Sequence, residues 1–403
     1  MNNINELYLK LNSLCVFNKI LEDDVVKSLM NYISNVDKVS VDISVKNYSK
    51  FVSRLYEANG GNLTKYIQRL INDDENVFIK YKSKEIEIPD YLKESVKNEI
   101  LILSETAKLS STELKKYVEW NGTLPDYDIT DDKIEDIYFE RVSNISKYGY
   151  GIYSRYYMFY LNPKNKIMPV KNPDNTKLAD LIDYEYEKKV ILDNTIALLK
   201  GKPAANILLT GDAGTGKSST VKAVVNELHD EGLRILEVRK EQLHEIPALL
   251  NELTSNPLKF ILFIDDLSFS KDDDNFSVLK AILEGSVSSK SQNVVIYATS
   301  NRRRLVKEKF SDREGDEIHV NDSMQEIISL SERFGIQLTF NRPDKATYLN
   351  IVHHLVDALG IKYDKEKLDI VAERYALMRG TRSARAAKQF ADGVESGNIN
   401  DIY

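Results

Sequence analysis

The chain has 403 residues, 42% of them hydrophobic and 29% charged, which is enough length for two or three ordinary domains and enough apolar residue to give each a core. A net charge of −7 argues against a strongly electrostatic nucleic-acid or membrane binder, although an acidic whole can still carry a local basic patch. No apolar run reaches the roughly 18 residues of a membrane span and residues 1–10 lack a signal peptide's basic start and apolar core, so the expectation is a cytoplasmic protein with no membrane partner.

In chain order, residues 1–160 carry no catalytic pattern and read as amphipathic helices over 25–33, 49–55 and 91–109. Polar turns such as Asn59-Gly60-Gly61-Asn62 break them up, which predicts a mainly helical N-terminal domain. The single cysteine, Cys15, cannot close an internal disulfide and has no histidine near it, so it reads as a packed or idle thiol. Aromatics crowd the stretch from Tyr148 to Tyr160, which suits packing against the next domain as well as a stacking or docking surface. Pro163, Pro169 and Pro173 then fall within eleven residues, which predicts a linker over 161–183. A helix is expected over 184–199.

After a short apolar run at 206–210, the stretch Gly211-Asp212-Ala213-Gly214-Thr215-Gly216-Lys217-Ser218 fits the phosphate-loop pattern at every fixed position, and Ser219 follows on the next helix. Glycines let the backbone turn tightly and bring successive N–H groups to one anion-sized nest, where the helix over 218–230 adds its positive dipole end. Lys217 is expected on the β- and γ-phosphates of the nucleotide, and the Ser218 hydroxyl on Mg²⁺. Ile182 and Tyr184, just ahead of the 184–199 helix, are candidates for the adenine contact, with simple packing as the alternative.

Beyond the loop, apolar strands over 233–238, 260–264, 294–298 and 336–340 alternate with helices over 241–254 and 275–283. That alternation predicts an α/β fold with a parallel sheet covered on both faces, and it puts loop chemistry at the carboxyl ends of the strands. Asp265 and Asp266 close one such strand, 48 positions after Lys217. The first carboxylate suits Mg²⁺ and the second suits orienting or deprotonating an attacking water. Helices over 346–359, 365–378 and 381–394 complete the chain. The expected domains are therefore 1–160, a linker 161–183, a nucleotide-binding domain 184–341 and a helical lid 342–403.

From Tyr184 onward the chain resembles an AAA+ ATPase, and more narrowly the bacterial ATP-binding proteins of domain-of-unknown-function family 815. The stretches that carry the resemblance are GDAGTGKSS at 211–219, FILFIDDLSF at 260–269, IYATSNRR at 296–303, SLSERFG at 329–335 and RGTRSARAAKQF at 379–390. It implies a P-loop AAA+ sheet with a C-terminal helical lid, ATP and Mg²⁺ as ligands, and a homo-oligomer. Asn301 matches the sensor-1 position, Arg333 the arginine finger given to a neighbouring subunit, and Arg385 the lid's sensor-2 arginine, with Arg382 as the other candidate.

Two departures from the pattern matter. Asp266 stands where many AAA+ ATPases have Glu, which predicts slow hydrolysis without a partner, and residues 239–245 lack the aromatic-apolar-glycine pore loop of protein-threading rings. The expected function is Mg²⁺-dependent ATP binding and hydrolysis coupled to remodelling of a protein partner held by the N-terminal domain. The alternatives are a nucleotide-gated binding module with little turnover and a DNA-associated loader or initiator. Arg302, Arg303, Arg304, Lys307 and Lys309 form a basic run that would serve the last of these, but the acidic whole does not favour nucleic acid. The charged segment 311–322 beside Arg333 is expected to be mobile until a neighbour docks.

Overall fold

Helix caps set the boundaries of the first part of the chain. In this computed structural model, residues 3–269, 274–284, 292–301, 330, 332–400 and 402 are described, and they form two units, Met1–Arg155 and Tyr156–Tyr403. The basic run at 302–309 and the segment 311–322 lie outside the described residues.

The first unit is built of α1 (Asn3–Asn12), α2 (Asp24–Ser34), α3 (Val41–Asn59), α4 (Leu63–Asp73), α5 (Val77–Ser83), α6 (Asp90–Ala107), α7 (Ser111–Lys115), α8 (Ile134–Ser143) and α9 (Ile145–Tyr148). Side-chain oxygens of Asp23, Asn62 and Asn76 accept from the first free N–H groups of α2, α4 and α5, and Ser110 with Glu113 closes a capping box on α7. The expected 49–55 helix is the middle of α3, whose stripe of Tyr48, Phe51, Val52 and Leu55 is wholly buried. That helix stops where Gly60 adopts φ 77° and donates its N–H to Tyr56 O.

A buried carboxylate ties the start of this unit to α6. Glu99, 4% exposed, accepts from the backbone N–H groups of Cys15, Val16 and Phe17 at 2.9–3.1 Å. The Cys15 thiol donates to the same carboxylate at 3.0 Å, and that bond holds its pKa above the ordinary thiol value. Such a thiol keeps its proton, which suits a structural side chain better than a nucleophile.

The second unit is a seven-stranded sheet. Its elements are β1 (Met158–Leu161), β2 (Ile167–Pro169), α10 (Glu185–Leu199), β3 (Ile207–Gly211), α11 (Lys217–Leu228), β4 (Leu233–Glu237), α12 (Ile246–Thr254), β5 (Lys259–Ile264), α13 (Asp274–Leu283), β6 (Val294–Ser300) and β7 (Ile336–Phe340). The order across the sheet is β2-β1-β4-β5-β6-β3-β7, and every pair is parallel except the β1–β2 hairpin. Alternate strand residues point to opposite faces. Ile207, Leu209, Ile235, Ile261, Phe263, Tyr297 and Leu338 pack with Ile191 and Leu198 of α10 and with Val221, Val224 and Val225 of α11. The intervening Leu208, Leu236, Leu262 and Ile264 are also buried, as are Leu249 and Leu253 of α12 and Leu279 of α13. A sheet covered on both faces is why these strands read as unbroken apolar runs.

Three helices, Lys345–Ala358, Lys365–Arg379 and Ala384–Glu395, pack around Tyr348, Val352, Leu368, Ala387 and Phe390 in the segment expected as the lid. The second unit is thus a mostly parallel seven-stranded sheet covered by helices and followed by a three-helix segment, and a helical unit precedes it in sequence.

Two expectations change. Residues 161–183 are not a bare linker: Asn162 Oδ1 accepts the N–H groups of Lys164 and Lys166, Asn165 turns at φ 56°, and the chain returns as β2. The proline- and asparagine-rich composition belongs to the turn and blunt edge of a hairpin, since an edge strand tolerates proline. The helix expected over 241–254 is split into a 3₁₀ stretch, Lys240–Glu245, and α12, because Pro247 lacks an N–H and fits only the first turn of a helix.

Candidate nucleotide site

Strand ends β3, β5 and β6 lie side by side, so the polar residues that follow them converge at one edge of the sheet. They border a cavity of about 660 Å³ lined by Ala213 to Thr220, Asp265, Asp266, Thr299, Asn301, Ile182, Tyr184 and, from the lid, Ile351, Leu355, Arg385 and Lys388.

The loop glycines have separate causes. Gly211 sits at φ 135°, and a Cβ there would lie 2.0 Å from the backbone oxygen of Phe340, so its lack of a side chain lets β7 pair with β3. Gly214, at φ 79°, faces the lid, where a Cβ would meet Arg385 Cβ at 3.1 Å and Ser383 Oγ at 3.2 Å. The Arg385 N–H donates to Gly214 O at 3.1 Å, which fastens the third lid helix directly to the loop.

Lys217 is 5% exposed and opens α11. Its Nζ donates to Gly211 O at 2.9 Å, Asp212 O at 2.8 Å and Asn301 Oδ1 at 3.1 Å. Burial pushes its pKa below the ordinary lysine value, opposed by the charges of Asp212, Asp265 and Asp266. Asn301 links onward, its Nδ2 donating to Asp266 Oδ1 at 2.7 Å. The Ser218 hydroxyl donates to Asp265 Oδ1 at 2.6 Å. Two hydrogen-bonded chains therefore join the phosphate loop to the strand ends: Lys217–Asn301–Asp266 and Ser218–Asp265.

Asp266 has φ 54°, in the left-handed region that aspartate adopts more readily than most residues. The shorter acid is thus compatible with a backbone turn at the end of β5, and Asn301 spans the distance to it.

At the Ile182–Tyr184 side, the roof of the cavity is the segment read as linker. Asn226 Nδ2 of α11 donates to Asp174 O and Thr176 O at 2.8 Å each, and Leu178 N donates to Glu227 Oε1 at 3.0 Å. Asp183 and Tyr184 follow with φ 72° and 62°, two consecutive non-glycine residues in the left-handed region at the cavity wall. The Tyr184 hydroxyl donates to Asn341 O at 2.5 Å and its ring lies 4.8 Å from that of Phe340, while Ile182 packs on the lid core.

The remaining expected residues divide between the cavity and its surroundings. Gly211 and Asp212 are not among its lining residues, and the Asp212 carboxylate lies 3.8 Å from Arg342. Of the two lid arginines, Arg385 lines the cavity, whereas Arg382 is paired with Glu373. Arg333 pairs with Glu284, just past the end of α13. Ser219 lines the cavity beside Ser218. Thr299, Asp174, Thr176 and Lys388 were missed from sequence; only Thr299 carried a signal, as a hydroxyl residue at the end of a buried strand.

The sequence model of a family described as "Protein of unknown function (DUF815)" matches residues 154–398. A Lon protease of Mycoplasma mobile is 22% identical over 413 residues, in an alignment that takes in 90% of this chain and 47% of that protein. The chain thus spans about half the length of this curated relative. Among solved structures, the RuvB Holliday junction branch migration motor of Thermotoga maritima is 16% identical with a TM-score of 0.38, covering 56% of this chain and 68% of its own. PCH-2 of C. elegans is 17% identical with a TM-score of 0.40, covering 56% of this chain and 66% of its own.

Proposed function

The chain belongs to the DUF815 family, and from that premise we propose that it is an AAA+ protein that binds and hydrolyses ATP with Mg²⁺, as a homo-oligomer of the cytoplasm that couples nucleotide state to the remodelling of a protein partner. The observation that carries this reading is the convergence of Lys217, Ser218, Asp265, Asp266, Asn301 and Arg385 on one cavity that Ile182 and Tyr184 wall on the other side.

The roles follow from the chemistry of the groups. Residues Ala213 to Ser219, which line the cavity, form the phosphate cradle, in which Lys217 would exchange the carbonyl oxygens of Gly211 and Asp212 for phosphate oxygens. Asp266, held by Asn301, is the group placed to orient or deprotonate water. Arg385 would add a cavity-facing guanidinium to the phosphates from the lid. Ser218 and Asp265 are hard oxygen donors already within 2.6 Å of each other, a set that fits Mg²⁺, which takes one or two protein oxygens and fills the rest of its shell with phosphate and water. Bound there, the ion would neutralise charge on the phosphate oxygens. Ile182 and Tyr184 suit the apolar faces of a base.

Arg333 acts in this reading as the finger presented to a neighbouring copy, and its pairing with Glu284 keeps the guanidinium folded on its own subunit meanwhile. The helical N-terminal unit supplies the partner-binding surface.

A second reading, a nucleotide-gated module with little turnover, draws on the segment where a pore loop would stand. Asn165 Nδ2 donates to Glu245 Oε1 at 2.6 Å, Gln242 Nε2 donates to Asn162 O at 3.1 Å, and Leu243 is fully buried, so the hairpin turn pins this stretch to the body.

Steady-state ATP hydrolysis across about a hundredfold range of protein concentration, with and without Arg333→Ala, separates the two, because a finger in trans is worth about 10³ or more in rate. Specific activity that climbs with concentration and is lost in the variant supports the oligomeric ATPase; flat background turnover with ATP still bound refutes it in favour of the module.

A further inference from the structure

Thr299 ends β6 beside the end of β5, where Ile264 pairs with Ala298. It is 2% exposed and its hydroxyl makes two bonds at once. The backbone N–H of Asp266, which can only donate, reaches Thr299 Oγ1 at 2.9 Å. The hydroxyl proton is therefore free for a second partner, and it goes to Asp265 Oδ1 at 2.5 Å. One residue further, Leu267 N donates to Thr299 O at 2.7 Å. A single threonine thus grips three successive residues of the acidic turn.

We infer that Thr299 is a positioning residue for nucleotide hydrolysis: its hydroxyl fixes the Asp265 carboxylate and the left-handed backbone of Asp266 as one unit. The inference rests on the ATPase reading above. Ser218 also donates to Asp265 Oδ1, at 2.6 Å, and it is the residue expected to turn toward a cation. Thr299 would then be the hydroxyl that holds Asp265 in place. The same side chain orders Asp266 through its N–H, so that Asn301 meets the carboxylate at 2.7 Å. Valine has nearly the same shape and strand preference but neither donor nor acceptor, and serine keeps the hydroxyl without the methyl.

The test compares wild type, Thr299→Val and Thr299→Ser in two measurements: binding of a fluorescent ATP analogue as a function of Mg²⁺, and steady-state hydrolysis. Hydrogen bonds to charged groups set an expected loss of about 10- to 100-fold in kcat for Thr299→Val, with KM changed by less than about threefold. The same variant should need about tenfold more Mg²⁺ for tight nucleotide binding while its Mg²⁺-free binding stays at the wild-type level. Thr299→Ser should stay near wild type in both assays. Wild-type Mg²⁺ dependence and kcat in Thr299→Val would overturn the inference, as would equal damage in Thr299→Ser or loss of Mg²⁺-free binding, either of which marks a packing role. If wild type itself binds no nucleotide, the ATPase reading fails first and takes this inference with it.

Discussion

Replacing Lys217 by methionine separates what the phosphate loop does for folding from what it does for binding. The lysine is 5% exposed and gives its three protons to Gly211 O, Asp212 O and Asn301 Oδ1. Burial disfavours its charged form, so methionine of similar reach removes a desolvation cost together with those bonds. The two effects oppose each other, and the unliganded variant should keep its stability to within about 1 kcal/mol. No such offset exists for the nucleotide. A unit charge about 4 Å from a phosphate oxygen in a half-buried site is worth about 4 kcal/mol, or about 10³ in affinity. Titration of a fluorescent ATP analogue, with denaturant melts run in parallel, reads both quantities. Affinity within tenfold of wild type would refute the placement of phosphate at this loop, and a collapse of unliganded stability would refute the offset.

Gly211→Ala should fail differently, because its Cβ would strike Phe340 O at 2.0 Å: the cost is a β3–β7 pairing rather than a phosphate contact, and a melting midpoint near wild type would contradict it. Glu99→Ala leaves the N–H groups of Cys15, Val16 and Phe17 without their acceptor and should cost about 3 kcal/mol in a denaturant melt, with ATP affinity unchanged. Burial raises the Asp74 carboxyl above its ordinary 3.8, so folding takes up a proton between 3.8 and the raised value. Its contribution to stability therefore falls as pH rises through that window. Asp74→Asn does not titrate, and its stability relative to wild type should improve from acidic to neutral pH; a constant difference across that range would contradict the assignment.

Much of the second unit was legible because a buried parallel strand announces itself as an apolar run and the phosphate loop has a fixed spelling. The 336–340 strand was read to the residue, and 294–298 grew by two because Thr299 and Ser300 are polar yet buried. The β1–β2 hairpin was not legible. β2 is three residues long, ends in Pro169 and keeps its side chains partly exposed, so it offered neither an apolar run nor a clean alternation. Its partner β1 was hidden inside an aromatic stretch that serves two units: Tyr153 is buried in the first, and Phe159 in the sheet of the second. At the candidate site, residue type singled out Lys217, Ser218 and Asp265 because their chemistry is local to a motif, and all three line the cavity. The roof over 174–180 was invisible because its position depends on two side chains of α11, Asn226 and Glu227, some fifty residues away in sequence.

The bond from Arg385 N–H to Gly214 O makes the phosphate loop and the third lid helix partners in one equilibrium. Ser383 caps that helix by accepting from Ala386 N, so a loop that shifts its carbonyl to receive phosphate acts on the helix at its first turn. Linkage is reciprocal: whatever factor nucleotide applies to the lid's orientation, a protein that grips the lid must apply to nucleotide affinity. In the proposed reading, a partner touching only the C-terminal helices would therefore shift nucleotide affinity without approaching the cavity.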